Sequence, residues 1–381
     1  MDTQPGVYVH VPFCAARCGY CDFATWTDRH HLVDAYVEAC VIHLDRTIAR
    51  GELRAASSVF FGGGTPSLLE PTQLARILDA IPLVEGAEVT VECNPDTVDL
   101  GKLRGYRRAG ATRISLGVQS FRPHVLAFLD RTHDPANVER AVAGIEAAGF
   151  DTFNLDVIYG SPGESIADWR ASLAALLDLE PPHVSAYALT VEPGTPLGQA
   201  VAAGTSPPPD DDDQAAKYAI ADELLVAAGL ASYEVSNWAR PAHECRHNMA
   251  CWAGADYLAI GCAAHGHRAG RRWWNVRSPD RYIERIGAGE DPIAGEELLD
   301  GPARAAEAFV LALRTRGGAA VPPAALATAE DLAEAGLVTV QDGRVTLTAG
   351  GRILAGDLTA RFLAVAEWEG LARSSARAGT R

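Results

Sequence analysis

The chain has 381 residues, with 33 Lys plus Arg against 49 Asp plus Glu, a net charge of -16. A balance this negative repels nucleic acid and anionic lipid, so neither is an expected partner through bulk electrostatics. No unbroken apolar span reaches bilayer length, the start Met1-Asp-Thr-Gln-Pro-Gly6 carries no basic or apolar leader, and the cysteines do not read as a secreted disulfide framework. Secretion and membrane spanning are therefore not expected, and a reducing cytoplasm is.

Six short runs rich in β-branched and apolar residues succeed one another: Val7–Val11, Val59–Phe61, Glu88–Glu92, Arg113–Gly117, Phe153–Ile158 and Val184–Ala188. Helical patterns fill the intervals, at His31–Arg50, Pro71–Ile81, Leu100–Ala109, Asn137–Ala148 and Ser165–Leu177. This alternation predicts an α/β fold with a parallel sheet, and six repeats make an incomplete (β/α)6 barrel. Function in such barrels sits at the C-terminal ends of the strands. Polar residues gather there: a cysteine loop after the first strand, Gly62-Gly63-Gly64-Thr65-Pro66 after the second, Glu92 and Asn94 at the third, Gln119 at the fourth and Asp156 in the fifth. Glycines allow close backbone approach, and their N–H groups could meet a carboxylate or phosphate. Glu92 and Asp156 could accept from an ammonium or from sugar hydroxyls, and the Arg131 fork pairs two-pronged with a carboxylate, although a surface arginine at a helix end reads the same way.

The cysteine loop is the sharpest signal. Cys14-Ala-Ala-Arg-Cys18-Gly-Tyr-Cys21 supplies three soft thiolates in one loop, whereas a closed structural zinc site wants four. Three thiolates on a [4Fe-4S] cluster leave one iron open to an outside ligand. The alternative is a zinc knuckle completed by Cys40 or Cys93.

These motifs resemble the radical S-adenosylmethionine (SAM) superfamily. The likeness extends through Tyr8-Val-His-Val-Pro-Phe-Cys14, Phe61-Gly-Gly-Gly-Thr-Pro-Ser67, Arg113-Ile-Ser-Leu-Gly-Val-Gln-Ser-Phe121 and Asn154-Leu-Asp-Val-Ile-Tyr-Gly160, which look like the branch holding oxygen-independent coproporphyrinogen III oxidases and HemW. The resemblance implies a [4Fe-4S] cluster on Cys14, Cys18 and Cys21, with SAM on its open iron. It further implies that Gly63, Gly64 and Thr65 hold the methionyl part of SAM. Glu92, Gln119, Arg131 and Asp156 would hold its carboxylate and ribose region, with Tyr8 among the cofactor-binding residues.

Thr205-Ser-Pro-Pro-Pro-Asp-Asp-Asp-Asp213 interrupts the pattern with stiffening prolines and like charges, so residues 205–213 are expected to be a linker after a barrel at 1–204. A largely helical part follows: 214–301, with Tyr233-Glu-Val-Ser-Asn-Trp238, Cys245-Arg-His-Asn-Met-Ala-Cys-Trp252 and Tyr257–Gly266 dense in His, Cys and aromatics. Residues 302–370 predict short helices and a hairpin turning at Asp342-Gly343, a small winged-helix-like unit without a basic helix for DNA. The tail 371–381 reads as disordered. The expected whole is an incomplete (β/α)6 radical SAM barrel followed by a mainly helical C-terminal domain.

Two readings share this barrel. The oxidases usually carry a further cysteine where this chain has Phe23, and a longer segment ahead of the cluster motif. His247-Asn-Met-Ala-Cys-Trp252 resembles the HNxxYW motif of HemW haem chaperones, departing at Cys251, where tyrosine is usual. The resemblance therefore implies haem as ligand, haem-accepting proteins, including membrane-associated ones, as partners, and no coproporphyrinogen oxidase activity. His247 is the candidate axial ligand, with His10, His265 or the Cys251 thiolate as competitors, and Trp252 as an apolar wall. A radical SAM oxidase decarboxylating coproporphyrinogen III is the alternative, and a radical SAM protein of another specificity the third. A bland role, with the aromatics as core and the histidines hydrogen-bonded, stays open as well.

Overall fold

The structure, a computed structural model, describes residues 4–131 and 133–365. The expected disordered tail lies outside the described residues. All six predicted strands form, as β1 (Gly6–Val11), β2 (Ala56–Gly63), β3 (Leu83–Cys93), β4 (Arg113–Gln119), β5 (Thr152–Tyr159) and β6 (His183–Ala188). They pair in parallel and in sequence order, with helices such as Val33–Ala49, Leu100–Ala109 and Ile166–Leu177 between them.

Period-two alternation sorts each strand's side chains. Val7, Val9 and Val11, Val59 and Phe61, Val89 and Val91, Ile114 and Leu116, Phe153, Leu155 and Val157, and Val184 and Ala186 belong to one core with the helices, where Tyr36, Leu74, Leu103, Ile145 and Trp169 meet them. The alternate positions, including His10, Ser58, Glu88, Glu92, Ser115, Asn154, Asp156, His183 and Ser185, occupy the opposite face. Apolar burial thus fixes the register, and a slip of one residue would put that polar set into the helix layer.

The barrel does not close, since β1 and β6 are not neighbours. Both edges are instead extended by strands from the region whose pattern reads as helical. On the β6 side, β7 (Ala231–Glu234) and β8 (Asn237–Ala239) add antiparallel. On the β1 side, β9 (Tyr257–Ile260) adds in parallel, followed by antiparallel β10 (His265–Arg268), β11 (Arg271–Asn275) and β12 (Ile293–Leu298), completing a twelve-stranded sheet. Short strands rich in Trp, His and Arg carry little periodic signal, which hides them in the sequence.

The aspartate run is not a repelling spacer. Asp210 caps the helix Asp211–Ala227, whose first turn holds Asp211, Asp212 and Asp213, where the positive end of the helix dipole favours acids. Lys217 of this helix is fully buried and its Nζ meets Asp213 at 2.6 Å and Glu164 at 3.1 Å, tying the helix start to the loop after β5. The C-terminal unit has its own core of Phe309, Leu313, Leu332, Val338, Val345, Leu358 and Phe362. Its three strands are β13 (Ala319–Ala320), β14 (Val338–Gln341) and β15 (Arg344–Leu347), the last two joined through Asp342 and Gly343 at φ 50° and 71°, the primed turn a hairpin prefers. Among the described residues no helix is long and apolar enough to cross a membrane.

Candidate functional site

β1 ends at Val11 and delivers the chain directly into the cysteine loop, whose first residue Cys14 is held by its N–H to the Trp26 carbonyl at 3.1 Å. Cys21 N–H bonds the Cys18 carbonyl at 3.2 Å, turning the loop so that all three thiols come from one segment. None is in a disulfide, and each is partly exposed. Thr65 donates to Cys14 Sγ at 3.5 Å, and the Arg131 guanidinium lies 3.9 Å from Cys18 Sγ. Burial pushes the Cys14 thiol up and the Cys21 thiol up to about 11, so unligated they are thiols. Among the described residues no three His, Cys, Asp or Glu side chains stand close enough to hold a single ion. A four-iron cluster asks for something else: each thiolate binds a different iron, so the sulfurs stand farther apart than ligands of one ion. The donor set fits a cluster and not a zinc site, because Cys40 and Cys93, the thiols that could complete a knuckle, are buried in the helix-side core.

The strand ends form one opening beside this loop. The glycines of 62–64 are small for steric reasons: a side chain at Gly63, which has φ 112°, would lie 2.5 Å from the His10 ring, and one at Gly64 would lie 2.7 Å from the Phe13 carbonyl and 3.0 Å from Cys14 Sγ. The N–H groups of Gly63 and Gly64 are engaged within the protein, where the sequence suggests an anion. Gly63 N–H bonds Glu92 Oε2 at 3.2 Å, Gly64 N–H the Val11 carbonyl at 2.8 Å and Thr65 N–H the Phe13 carbonyl at 2.8 Å. The loop packs its donors internally because the cysteine loop must be held against it. Glu92 is pushed up to about 8 by burial, and next by the charge of Asp156, against the Gly63 N–H bond.

Gln119 closes β4 with φ 65°, and its Nε2 lies 3.0 Å from where a Gly117 side chain would begin, with Arg131 Nη2 at 3.5 Å. Arg131 donates from Nη2 to the Gly117 carbonyl at 2.7 Å, while its buried Nε has no partner among the described residues. Asp156 accepts from Ser115 at 3.0 Å and from Asn154 at 2.7 Å. Burial raises its pKa, and those bonds pull the other way. Asn154 Oδ1 in turn meets His183 Nδ1 at 2.5 Å, and His183 Nε2 meets the Tyr233 hydroxyl at 2.7 Å. The six residues Gly63, Gly64, Thr65, Glu92, Gln119 and Arg131, with Asp156, therefore belong to one end of the barrel.

A second space of about 610 Å³ opens beside β1, within the range of small-molecule pockets. Phe23 and Asp22 reach it from just past the cysteine loop, Tyr8, His10 and Phe60 from β1 and β2, His247, Asn248 and Cys251 from the helix Arg246–Trp252, and His265, Trp274 and Arg277 from the β1-side extension. Tyr8 thus borders both spaces: it lines this cavity and its phenol is pushed up by burial, then by Glu92. Four groups named as competing ligands converge here, and the geometry separates them. His10 spends both ring nitrogens, Nδ1 on the Tyr8 hydroxyl at 3.2 Å and Nε2 on the Ala24 carbonyl at 2.9 Å. Burial pushes the Cys251 thiol up to about 11. His265 is exposed and stacked 6.0 Å from the Trp274 ring. His247 is 5% exposed, uses Nδ1 on Ser58 at 2.9 Å, and leaves Nε2 without a protein hydrogen bond among the described residues. Burial pushes its imidazole down to about 4, against the charge of Glu88. Trp252 does not line the cavity. It packs on the Tyr233 ring at 5.9 Å, and Trp274 provides the tryptophan wall instead.

The radical SAM superfamily signature matches residues 8–176. Heme chaperone HemW of Mycobacterium tuberculosis (strain ATCC 25618 / H37Rv) is 44% identical over 368 residues, 93% of this chain and 94% of its own. Heme chaperone HemW of Bacillus subtilis (strain 168) is 31% identical over 375 residues, 93% of this chain and 98% of its own. The chain belongs to the HemW family of the radical SAM superfamily. In fold it is similar to coproporphyrinogen III oxidase (HemN) from Escherichia coli, a radical SAM enzyme, with a TM-score of 0.81 over 95% of this chain and 91% of that one. Sequence identity there is 21%, so the likeness is one of fold.

Two residues of this HemW-family chain escape a sequence reading. Ser58 holds His247 by its ring, and Glu88 holds it by its backbone: Oε1 accepts from His247 N–H at 3.0 Å, Oε2 from Arg246 N–H at 3.2 Å, and the Cys245 thiol lies at 3.6 Å. The carboxylate occupies the positive start of the short helix. Both belong to the inward polar register of β2 and β3. That register was the available signal, but it names no partner about 160 to 190 residues away.

Proposed function

We propose that this chain is a haem-binding chaperone that carries a [4Fe-4S] cluster and SAM on its barrel and passes haem to acceptor proteins, membrane-associated ones included. The observation that carries the reading is the cavity beside β1, where an imidazole with one nitrogen unengaged meets aromatic walls immediately past the cysteine loop. Haem iron takes a histidine as axial ligand, and a ligating histidine typically gives its other nitrogen to a neighbour, which Ser58 supplies for His247. A pKa pushed down to about 4 keeps the imidazole neutral, as ligation requires.

Cys14, Cys18 and Cys21 are assigned to three irons of the cluster. When bound, the cluster and SAM supply one-electron chemistry and a radical source. The barrel mouth fits the charges of SAM in a particular sense. With the N–H groups of 63–65 engaged, that loop offers carbonyl oxygens, which with Glu92 suit an ammonium. Arg131, with its unpaired buried Nε, suits the carboxylate, beside Gln119. Asp156 is left to accept from ribose hydroxyls, and Tyr8 forms the wall between the two spaces. We assign 1–204 to the barrel, 205–213 to a connection, 214–301 to the region that builds the cavity and 302–370 to the winged-helix-like unit, in a cytoplasmic protein.

The reconstituted protein, incubated anaerobically with coproporphyrinogen III, SAM and a reductant, tests this reading against radical SAM decarboxylation. Stoichiometric haem uptake, delivery of that haem to an apo-protein and no protoporphyrinogen are the expected results. Protoporphyrinogen formation without haem uptake would make the chain an oxidase.

A further inference from the structure

The cavity beside β1 has polar features that iron coordination does not use. Its lining contains one permanent cation, Arg277, and one carboxylate, Asp22. Arg277 follows β11, where Arg271 and Arg272 are both paired, with Glu296 and Glu297. Arg277 itself is exposed, and its guanidinium makes no ion pair or hydrogen bond among the described residues. Its backbone is nevertheless fixed: the preceding Val276 gives its N–H to the Pro292 carbonyl at 2.8 Å and its carbonyl to Ala263 N–H at 2.9 Å. Two residues upstream, Asn275 is 2% exposed and lines the same wall. Its Nδ2 is spent on the Gly261 carbonyl at 2.7 Å, while Oδ1 is buried without a donor among the described residues. One wall of a largely aromatic cavity thus presents an unpaired cation and an unmet acceptor, on the edge extension rather than on the helix that carries His247.

We propose that Arg277 anchors a propionate carboxylate of the bound tetrapyrrole, so that the cavity selects a ligand with an apolar ring and a charged edge. The inference rests on the haem reading and assigns the ligand's orientation within that site. The ring lies among Phe60, Tyr257 and Trp274, the iron faces His247, and a carboxylate is drawn to the Arg277 fork, whose planar donors match it two-pronged. Asp22 sits on the segment that leaves the cysteine loop, and its charge disfavours placing a propionate there. Of the other titratable side chains of the lining, burial holds Tyr8, His10, His247, Cys251 and Tyr257 in their neutral forms, while His265 stacks on Trp274.

The test compares haem with haem dimethyl ester, in which both propionates are esterified, by absorbance titration into wild type, Arg277→Gln, Arg277→Lys and His247→Ala. Wild type is expected to prefer haem by about tenfold, the scale of one charge-assisted pair, and Arg277→Gln to reduce that preference to about twofold or less. Arg277→Lys, which keeps the charge and loses the fork, should fall between them. His247→Ala should shift the absorption bands while retaining the preference for the free acid. Equal discrimination in wild type and Arg277→Gln, or no discrimination in a wild type whose bands depend on His247, would overturn this proposal alone. A wild type that binds neither compound would overturn the haem reading and this proposal with it.

Discussion

The barrel mouth and the cavity beside β1 lie on the two sides of Tyr8, and they are built by different means. At the mouth the residues come from the barrel strands and the loops that follow them, with Arg131 from just past the helix Pro123–Phe128, and three are braced by near neighbours in the sheet: Asp156 by Ser115 and Asn154, Glu92 by Gly63, Arg131 by Gly117. The cavity draws on four distant segments, and its central histidine is set by Ser58 and Glu88 from strands more than 150 positions earlier. A site repeated along a barrel inherits its geometry from the fold. A site assembled at the sheet's edge depends on a few specific contacts, and is the easier to alter without unfolding the barrel.

Breaking the mouth should have the larger effects. Cys18→Ala removes one of three thiolates, and anaerobic reconstitution should then give neither the four-iron content nor the visible absorption of wild type, while Cys40→Ala and Cys93→Ala, in the helix-side core, keep both. Asp156→Ala should weaken SAM binding in cluster-replete protein by about 1.5–3 kcal/mol, the value of hydrogen bonds to a charged acceptor. Unchanged affinity would remove the ribose assignment.

The cavity responds to different changes. Glu88→Ala leaves the buried N–H of His247 and the half-buried N–H of Arg246 without their acceptor, and denaturant titration should show a loss of about 2 kcal/mol, with altered haem bands and unaltered SAM affinity. Loss of SAM binding alone would mean that the two spaces are not separable. A smaller effect sharpens the contrast through pH. Burial pushes Glu92 up to about 8, and a cationic ligand favours its ionised form, so binding expels a proton below that pH. Wild-type SAM affinity, taken relative to Glu92→Gln, should rise by up to about tenfold per unit from pH 6.5 towards 8 and level off above. A flat ratio would show Glu92 already ionised.

The same contrast decides what the sequence made legible. All six barrel strands and the cysteine loop could be read because alternation and motif spacing are local, and the burial of Val7, Val9 and Val11 against the helices follows from them. Glycines 62–64 suggest close approach of a ligand, whereas the atoms nearest Gly63 and Gly64 are the protein's own, His10 and the cysteine loop, and that packing needs coordinates. His247 was legible as a motif residue. Its supports were not, because Ser58 and Glu88 look like any inward polar residue of a strand. Nor was Trp274, whose strand is five residues long and lies second from the sheet's edge, while the nearby Trp252 of the motif packs on Tyr233.

The central claim is that haem enters the cavity beside β1 and meets His247. Titrating haem into wild type, His247→Ala, His265→Ala and His10→Ala, with absorbance read from pH 8 to pH 5, addresses it directly. One haem per chain is expected, with imidazole-type bands that persist to pH 5, since His247 gains its proton only at about 4, and that are lost in His247→Ala alone. Bands that survive in His247→Ala and disappear in His265→Ala, or that fade on acidification near pH 6.5 as for an ordinary exposed imidazole, would contradict it.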